Sequence, residues 1–222
     1  MIYQMFCLGK RSKPTQAMLE GLVFEEELIG SARGHEKVDA PKQKNGEPYK
    51  WERDVRGLAN KGKELMKDMG IKIVDVQPEW VYDGMVYHLD AIMEYNGELA
   101  VLDVKFTSTR VDEAGKYGWG DPTLLDHTQA IHYTLGSIHH YDRPLPFYYI
   151  VFGKSGWVKF IQVKVSKETM VQHVEVVKRL MGYMANDFEP TPTKSYNKCA
   201  RCLLRTVCDK RVEIPDTEIV VV

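Results

Sequence analysis

The stretch of sequence that decides the fold runs over residues 88–105 and reads HLDAIMEYNGELAVLDVK. Near its middle, Asn96 and Gly97 separate two segments in which apolar and polar residues alternate. Asn-Gly between alternating segments is a strong signal of a β-hairpin with a two-residue type I′ turn. Such a turn makes Tyr95 and Glu98 direct partners, and it thereby predicts the pairing of the other residues along both strands.

Extended along both strands, this register places Asp90 opposite Asp103 and His88 opposite Lys105. All four side chains are expected on one face of the hairpin, because side chains alternate between the two faces of a strand. The other face is apolar and is expected to be buried. It carries Leu89, Ala91 and Met93 on the first strand and Leu102, Val104 and Phe106 on the second.

Two carboxylates that face each other across a hairpin need an explanation. Directly opposed residues have Cβ atoms about 4.5–5.5 Å apart, and like charges placed in this way destabilise a sheet. A divalent cation would offset the repulsion, because Mg²⁺ binds carboxylates together with water and phosphate oxygens. The alternative is a solvent-exposed face on which both aspartates stay hydrated. The apolar flanks of Asp103 favour the metal site.

The order of elements around the hairpin predicts an α/β fold, with a mixed central sheet flanked by helices. Two helical segments precede it, one starting after Pro14 and one ending at Gly70. Two strands joined by a turn at residues 154–156 follow it, with a helix before and a helix after them. The first of these helices is expected to open with Asp121 as its N-cap. The last is expected from about Ser166 to Met184.

Two motifs in this order resemble a known family. Asp90, followed after the hairpin turn by Asp103-Val104-Lys105, resembles the D…(D/E)xK signature of the PD-(D/E)xK nuclease superfamily. Gln129 and Tyr133 resemble the QxxxY motif of its RecB-type branch, and they lie on one face of the next helix. Taken alone, this pair reads as two ordinary polar residues on a partly buried helix. Its position after the D-x-K step favours the motif.

The resemblance implies a restriction-endonuclease-like core and a role for each motif residue. The two motif aspartates and the carbonyl of Val104 would hold one or two Mg²⁺ or Mn²⁺ ions. Lys105 would orient the attacking water or help to deprotonate it. Gln129 would position Lys105 or the scissile strand, and Tyr133 would contact the DNA.

The first helix contains a third candidate ligand. Gly21 and Glu25, in the sequence GLVFE, resemble the GxxxH or GxxxE motif that precedes the catalytic hairpin in this family. Met18, Leu22 and Ile29 are expected to form an apolar stripe at helical spacing, with Glu25 within it. A carboxylate on an inward face needs a partner, and a metal ion would supply one. The alternative is that Glu25 belongs to a solvated acidic run.

The four cysteines form a second group of candidate ligands: Cys7, Cys199, Cys202 and Cys208. One early cysteine and a late C-x2-C-x5-C resemble the iron–sulfur-bearing RecB-type nucleases, notably the Cas4 family and the AddB nuclease domain. Four thiolates suit zinc or an iron–sulfur cluster, and spacing alone does not separate the two. The resemblance favours [4Fe–4S], with a C-terminal cysteine tail that closes on the N-terminus. Four unrelated thiols are the remaining alternative.

Length and composition predict the number of domains and the cellular location of the protein. A chain of 222 residues, of which 44% are hydrophobic and 27% charged, is long enough for one packed domain. We expect a single nuclease domain over residues 1–222, with its core at about 14–185 and the cysteine clasp formed by Cys7 and residues 194–211. No signal peptide or membrane span is evident, which predicts a cytoplasmic protein. The net charge of −1 means that DNA binding would need a local site.

Together with the carboxylate pair, the resemblance implies a metal-dependent DNA exonuclease of the Cas4-like kind. It would act on single strands or DNA ends, in recombination, repair or CRISPR spacer acquisition. His88, Tyr117 and Trp119 are possible DNA contacts, the two aromatics by stacking on single-stranded bases. The alternative is a DNA-end-binding adaptor of the same fold that acts mainly through an integrase or helicase. The intact acidic residues and motif lysine favour the enzyme, since an adaptor has no need of them.

Overall fold

The computed structural model describes residues 14–30, 38, 40–108, 119 and 127–185. The chain divides into two compact units, residues 14–177 and residues 1–13 with 178–222. Of the second unit, only residues 178–185 are described, as the last part of a helix. The four cysteines and Tyr117 lie outside the described residues, so the cysteine clasp stays a prediction. No helix in the described ranges has both the length and the apolar character to cross a membrane.

The described residues form two helices, then five strands, then a helix, two strands and a last helix. The helices are α1 (Gln16–Ile29), α2 (Lys50–Asp68), α3 (Thr128–Tyr141) and α4 (Lys167–Ala185). The strands are β1 (Lys72–Val76), β2 (Glu79–Tyr82), β3 (Met85–His88), β4 (Ala91–Tyr95), β5 (Glu98–Thr107), β6 (Phe147–Gly153) and β7 (Val158–Val163).

The strands form two sheets. Five of them make one sheet in the order β1-β4-β5-β6-β7, and β2 pairs with β3 in a separate two-stranded sheet. In the larger sheet β5 and β6 run parallel, and the other neighbours run antiparallel. The predicted α/β fold with a mixed sheet is confirmed.

Both faces of the larger sheet are covered. One apolar cluster joins the sheet to α1 and α2 and includes Phe24, Ala59 and Leu102. A second cluster joins it to α3 and includes Ala130 and Val101. Consecutive residues of β5 face opposite sides, so Val101 and Leu102 belong to different clusters. The sheet therefore lies between the α1–α2 layer and α3.

Helix α1 turns a different face to the core from the one predicted. Met18 and Leu22 of the expected stripe are 56% and 47% exposed, and Ile29 is buried. Phe24 is fully buried and stacks on Phe106 of β5, with ring centroids 4.4 Å apart. The predicted stripe is wrong because the aromatic contact with β5 sets the rotation of the helix.

The hairpin register is confirmed along β4. Asn96 and Gly97 have φ values of +53° and +79°, as a type I′ turn requires. Tyr95 pairs with Glu98, and the same register continues as far as Ala91 and Leu102. Partners along the rest of this ladder follow from the turn alone.

The residues just before β4 do not continue the predicted ladder. Residues 89–90 bend, and β3 pairs with β2 instead of β5. His88 is therefore opposite Glu79, with their side chains 3.1 Å apart, and the predicted pairing with Lys105 is wrong. Leu89 is buried in the cluster on the α3 side of the sheet. Its predicted place on the other face is wrong, because the bend reverses the alternation of side chains.

The later elements lie close to their predicted places. Helix α3 begins at Thr128 with His127 at its N-cap, later than the predicted opening at Asp121. Residues 120–126 lie outside the described residues. Helix α4 begins at Lys167, as its sequence pattern indicates.

Helix α3 packs closely against the β2–β3 hairpin. Tyr87 of β3 is fully buried, and its ring stacks on that of His132 with centroids 4.4 Å apart. Gly136 lies beneath the same ring, and a Cβ atom at that position would be 2.5 Å from a Tyr87 ring carbon. Glycine at 136 is therefore what allows the hairpin to approach α3.

Replacing Gly136 with alanine should destabilise the fold. The new methyl group would displace the Tyr87 ring, and overpacking of this kind costs about 1–3 kcal/mol. The matched control is Gly57→Ala in α2, where a Cβ would have no neighbour within 4 Å and the higher helix propensity of alanine should stabilise. Urea unfolding measures both free energies. Equal stability of the two variants would contradict the packing described for Gly136.

Candidate active site

The site begins where the pairing of β4 with β5 ends. The last ladder pair is Ala91 with Leu102, and Asp90 stands just before it. The carboxylate of Asp90 accepts the backbone N–H of Val104, with N to Oδ2 at 2.7 Å. Asp103 pairs on its other side with Tyr149 of β6. Asp90 and Asp103 are therefore neighbours at the end of the ladder, and their predicted pairing as opposed ladder residues is wrong.

Four of the predicted site residues form one continuous chain of polar contacts. The Nζ of Lys105 lies 2.5 Å from Oδ2 of Asp103 and donates to Oε1 of Gln129 at 3.0 Å. The Nε2 of Gln129 donates to the hydroxyl of Tyr133 at 3.1 Å. Asp103 and Lys105 share a face of β5, and Gln129 and Tyr133 share a face of α3. Packing of α3 on β5 joins the two pairs.

Asp103 is a buried acid with few hydrogen-bond donors around it. Its side chain is 0% exposed, and Oδ1 has no hydrogen-bond donor among the described residues. Burial, followed by the negative charge of Asp90, raises the pKa of Asp103 to about 7, although Lys105 acts in the opposite direction. Burial and the neighbouring negative charge thus disfavour the ionised form of this carboxylate.

Glu25 brings a third carboxylate to the site from α1. Its side chain is partly buried, and its Oε1 accepts a hydrogen bond from Nε2 of Gln77 at 3.1 Å. Burial, followed by the charge of Asp90, raises the pKa of Glu25 to about 7, while Gln77 and Lys105 lower it. Burial also raises the pKa of Asp90.

The hydroxyl of Tyr133 lies in the field of these carboxylates. Its pKa is raised, first by burial and then by the charges of Asp103, Asp90 and Glu25, while Gln129 lowers it. The charges of all three carboxylates therefore raise the pKa of a single tyrosine on α3. The candidate ligands and the QxxxY pair therefore belong to one electrostatic site.

The residues fit a hard divalent cation. Carboxylate oxygens are the ligands that Mg²⁺ prefers, and a cation would offset the cost of burial and of mutual repulsion that raises the pKa values of Asp103 and Glu25. The Oδ1 of Asp103, which has no donor among the described residues, is an oxygen that a cation could bind. In the described part of the chain, no three carboxylate, imidazole or thiol groups already surround a common point. Glu25 and Asp90 instead accept hydrogen bonds from protein groups.

Of the predicted DNA contacts, Trp119 lies near this chain of residues. Its ring packs edge-on against Tyr149 with centroids 5.1 Å apart, and the Nζ of Lys159 donates to its carbonyl at 2.7 Å. The Nζ of Lys105 lies 5.8 Å from the centre of the Tyr149 ring. Tyr149 thus connects Trp119 to the motif lysine. His88 is elsewhere, with 69% of its side chain exposed beside Glu79.

Sequence reasoning missed two residues of the site. Tyr149 lies beside Asp103 because β6 runs parallel to β5, a pairing that no local pattern predicts. Gln77 contacts Glu25 although 52 positions separate them. No signal around Gln77 in the sequence indicates this contact, since it depends on the packing of α1 against the end of β1.

Comparison with known proteins supports the fold. The sequence matches no protein-family model and no curated protein. The fold is similar to the crystal structure of a protein from Eubacterium rectale named "Putative exonuclease", with a TM-score of 0.54 and 14% sequence identity. The similarity covers 84% of this chain and 74% of that chain. At this level of identity the likeness establishes a shared architecture.

The raised pKa values predict how stability depends on pH without metal. The folded state holds protons on Asp103 and Glu25 up to about pH 7, whereas the ordinary pKa values are 3.8 and 4.5. The unfolded state therefore releases protons first as pH rises, and the free energy of unfolding should fall between about pH 4 and pH 7. Urea unfolding in chelator at pH 5 and pH 8 measures this fall.

Asp103→Asn should remove much of that fall. Each pKa unit corresponds to about 1.4 kcal/mol, so this variant should be more stable than the wild type at pH 8 by roughly 2–4 kcal/mol. Asp54→Asn, at an exposed position of α2, is the matched control and should change little. Identical pH dependence in the Asp103 variant and the wild type would contradict the raised pKa assigned to the buried Asp103 carboxylate.

Proposed function

We propose that this chain is a metal-dependent deoxyribonuclease that hydrolyses phosphodiester bonds. The observation that carries the proposal is the unbroken contact chain from Asp103 through Lys105 and Gln129 to Tyr133, with Asp90 and Glu25 beside it. Carboxylates, a lysine and an amide joined in this way suit attack of water on a phosphate. The fold shared with the Eubacterium rectale protein is consistent with it.

The carboxylates of Asp90, Asp103 and Glu25, with the carbonyl of Val104, would hold Mg²⁺ or Mn²⁺. Such an ion, when bound, lowers the pKa of a water molecule and neutralises charge on phosphate oxygens. Burial of Asp103 contributes by excluding bulk water, which strengthens electrostatic interactions at the site.

The lysine and the two motif residues of α3 would prepare the site for the phosphate. Lys105 places a positive charge beside Asp103, where it can orient the attacking water and stabilise negative charge on the phosphate. Gln129 holds the ammonium of Lys105 through its Oε1 and the hydroxyl of Tyr133 through its Nε2. Tyr133, held by this hydrogen bond, would contact the DNA backbone. One glutamine thus fixes both side chains.

The proposed substrates are single-stranded DNA and DNA ends. Exonuclease action of the Cas4-like kind, in recombination, repair or CRISPR spacer acquisition, would follow from the motif resemblance. The partly exposed ring of Trp119, which packs against the buried Tyr149 near Lys105, supports this choice, because aromatic side chains stack on unpaired bases. Tyr117, which lies outside the described residues, and His88 are proposed as further contacts.

Cleavage should depend on Asp103 and on the lysine that contacts it. The full-length protein should degrade labelled single-stranded DNA in Mg²⁺ or Mn²⁺, and Asp103→Asn or Lys105→Met should lower kcat by at least about 100-fold. Gln129→Leu should lower it by roughly 10–100-fold, because both of its partners lose their orientation. Lys61→Met, at an exposed position of α2, is the matched control and should retain activity.

Two other results would overturn the proposal in different ways. Equal degradation by the wild type and Asp103→Asn would show that the cleavage does not come from this site. No degradation by either protein, together with retained binding to DNA ends, would favour an adaptor that acts through an integrase or helicase.

A [4Fe–4S] cluster held by the four cysteines is a further part of the proposal, supported by their number and spacing. Protein purified without oxygen should be brown and contain about four iron atoms and about four sulfides per chain. Cys7→Ser should lower the iron content as much as Cys208→Ser does. A colourless protein with stoichiometric zinc would exclude the cluster and leave the proposed nuclease site unaffected.

A further inference from the structure

Gln77 lies between β1 and β2 and contacts two parts of the site at once. Its backbone N–H donates to the carbonyl oxygen of Asp90 at 2.8 Å. Its side-chain Nε2 donates to Oε1 of Glu25 at 3.1 Å. Since a carboxylate only accepts hydrogen bonds, the amide nitrogen is the group that faces Glu25. Gln77 thus links the helix that carries one candidate ligand to the bend that carries another.

The backbone of Gln77 has an unfavourable conformation. Its φ is +49°, in the left-handed region that costs a residue other than glycine about 1–2 kcal/mol. The next residue is Pro78, and a following proline also disfavours helical backbone conformations. Two local preferences therefore oppose this geometry. The contacts to Asp90 and Glu25 are interactions that offset the cost.

A glutamine suits this position chemically. Its neutral amide can fix the direction of the Glu25 carboxylate without cancelling its charge. A lysine or arginine would compete with a cation for the same carboxylate, and an acid would repel it. Neutral donors beside metal ligands orient those ligands in many proteins, and losing one typically weakens metal binding 10–100-fold.

We infer that Gln77 is a positioning residue that holds Glu25 in the orientation needed for metal binding. The inference rests on the proposed metal site of Glu25, Asp90 and Asp103. Gln77 acts through Glu25 and need not contact the substrate. Its loss should therefore weaken metal binding while leaving the KM for DNA unchanged at saturating metal.

Calorimetric titration of the full-length protein with Mn²⁺ tests the inference. Gln77→Leu should raise the Kd for Mn²⁺ by roughly 10–100-fold. Gln77→Gly should raise it as much, but its stability should equal or exceed that of the wild type because glycine favours a positive φ. Asn96→Gly, at another left-handed position with φ +53°, is the matched control and should leave the Kd unchanged.

A double-mutant cycle separates positioning from a general structural effect. In a Glu25→Ala background, Gln77→Leu should have no further effect on the Kd for Mn²⁺, because the residue through which it acts is gone. Full additivity of the two changes would overturn the inference, as would a Kd within about twofold of the wild type for both Gln77 variants. Unchanged Mn²⁺ binding by Asp103→Asn would instead overturn the metal site itself.

Discussion

The carboxylate of Asp90 takes the backbone N–H of Val104, and much of the site depends on this bond. This side-chain hydrogen bond takes the place of the next main-chain hydrogen bond between β4 and β5, so the ladder ends at Leu102. Beyond that residue, the strand neighbour of β5 among the described strands is β6. Near this end of β4, Glu25 approaches from the helical layer, and Gln77 approaches from the end of the neighbouring strand β1. A side chain that ends a ladder thus creates the opening for a third carboxylate.

The site holds more negative charge than its surroundings can stabilise. Lys105 contacts Asp103 directly, whereas burial and then the charges of Asp90 and Glu25 add to the cost of ionising Asp103. Folding tolerates this cost because the sheet is buried on both faces and a large apolar core surrounds the site. Functional sites commonly contain residues that lower the stability of the folded state but are needed for binding. A cation in the proposed metal site would offset this cost.

Local rules predicted the parts of the structure that depend on nearby residues. The Asn96-Gly97 turn predicted the register along β4, because the backbone of a type I′ turn leaves one choice of partners. Spacings of two along β5 and four along α3 predicted which side chains share a face. The same rules failed at Leu89, where a bend between two sheets reverses the alternation, and at Met18 and Leu22, where contact with β5 sets the rotation of α1.

The sequence by itself therefore determined the α/β architecture, the β4–β5 hairpin, and the two residue pairs that line one face of β5 and one face of α3. Only the tertiary structure decided that those pairs touch, that Glu25 comes to Asp90, and that Gln77 holds it. The physical reason is distance along the chain. Alternation and helical period act between neighbours, whereas the contact of Gln77 with Glu25 spans 52 positions and exists only when α1, the end of β1 and the bend at Asp90 pack together.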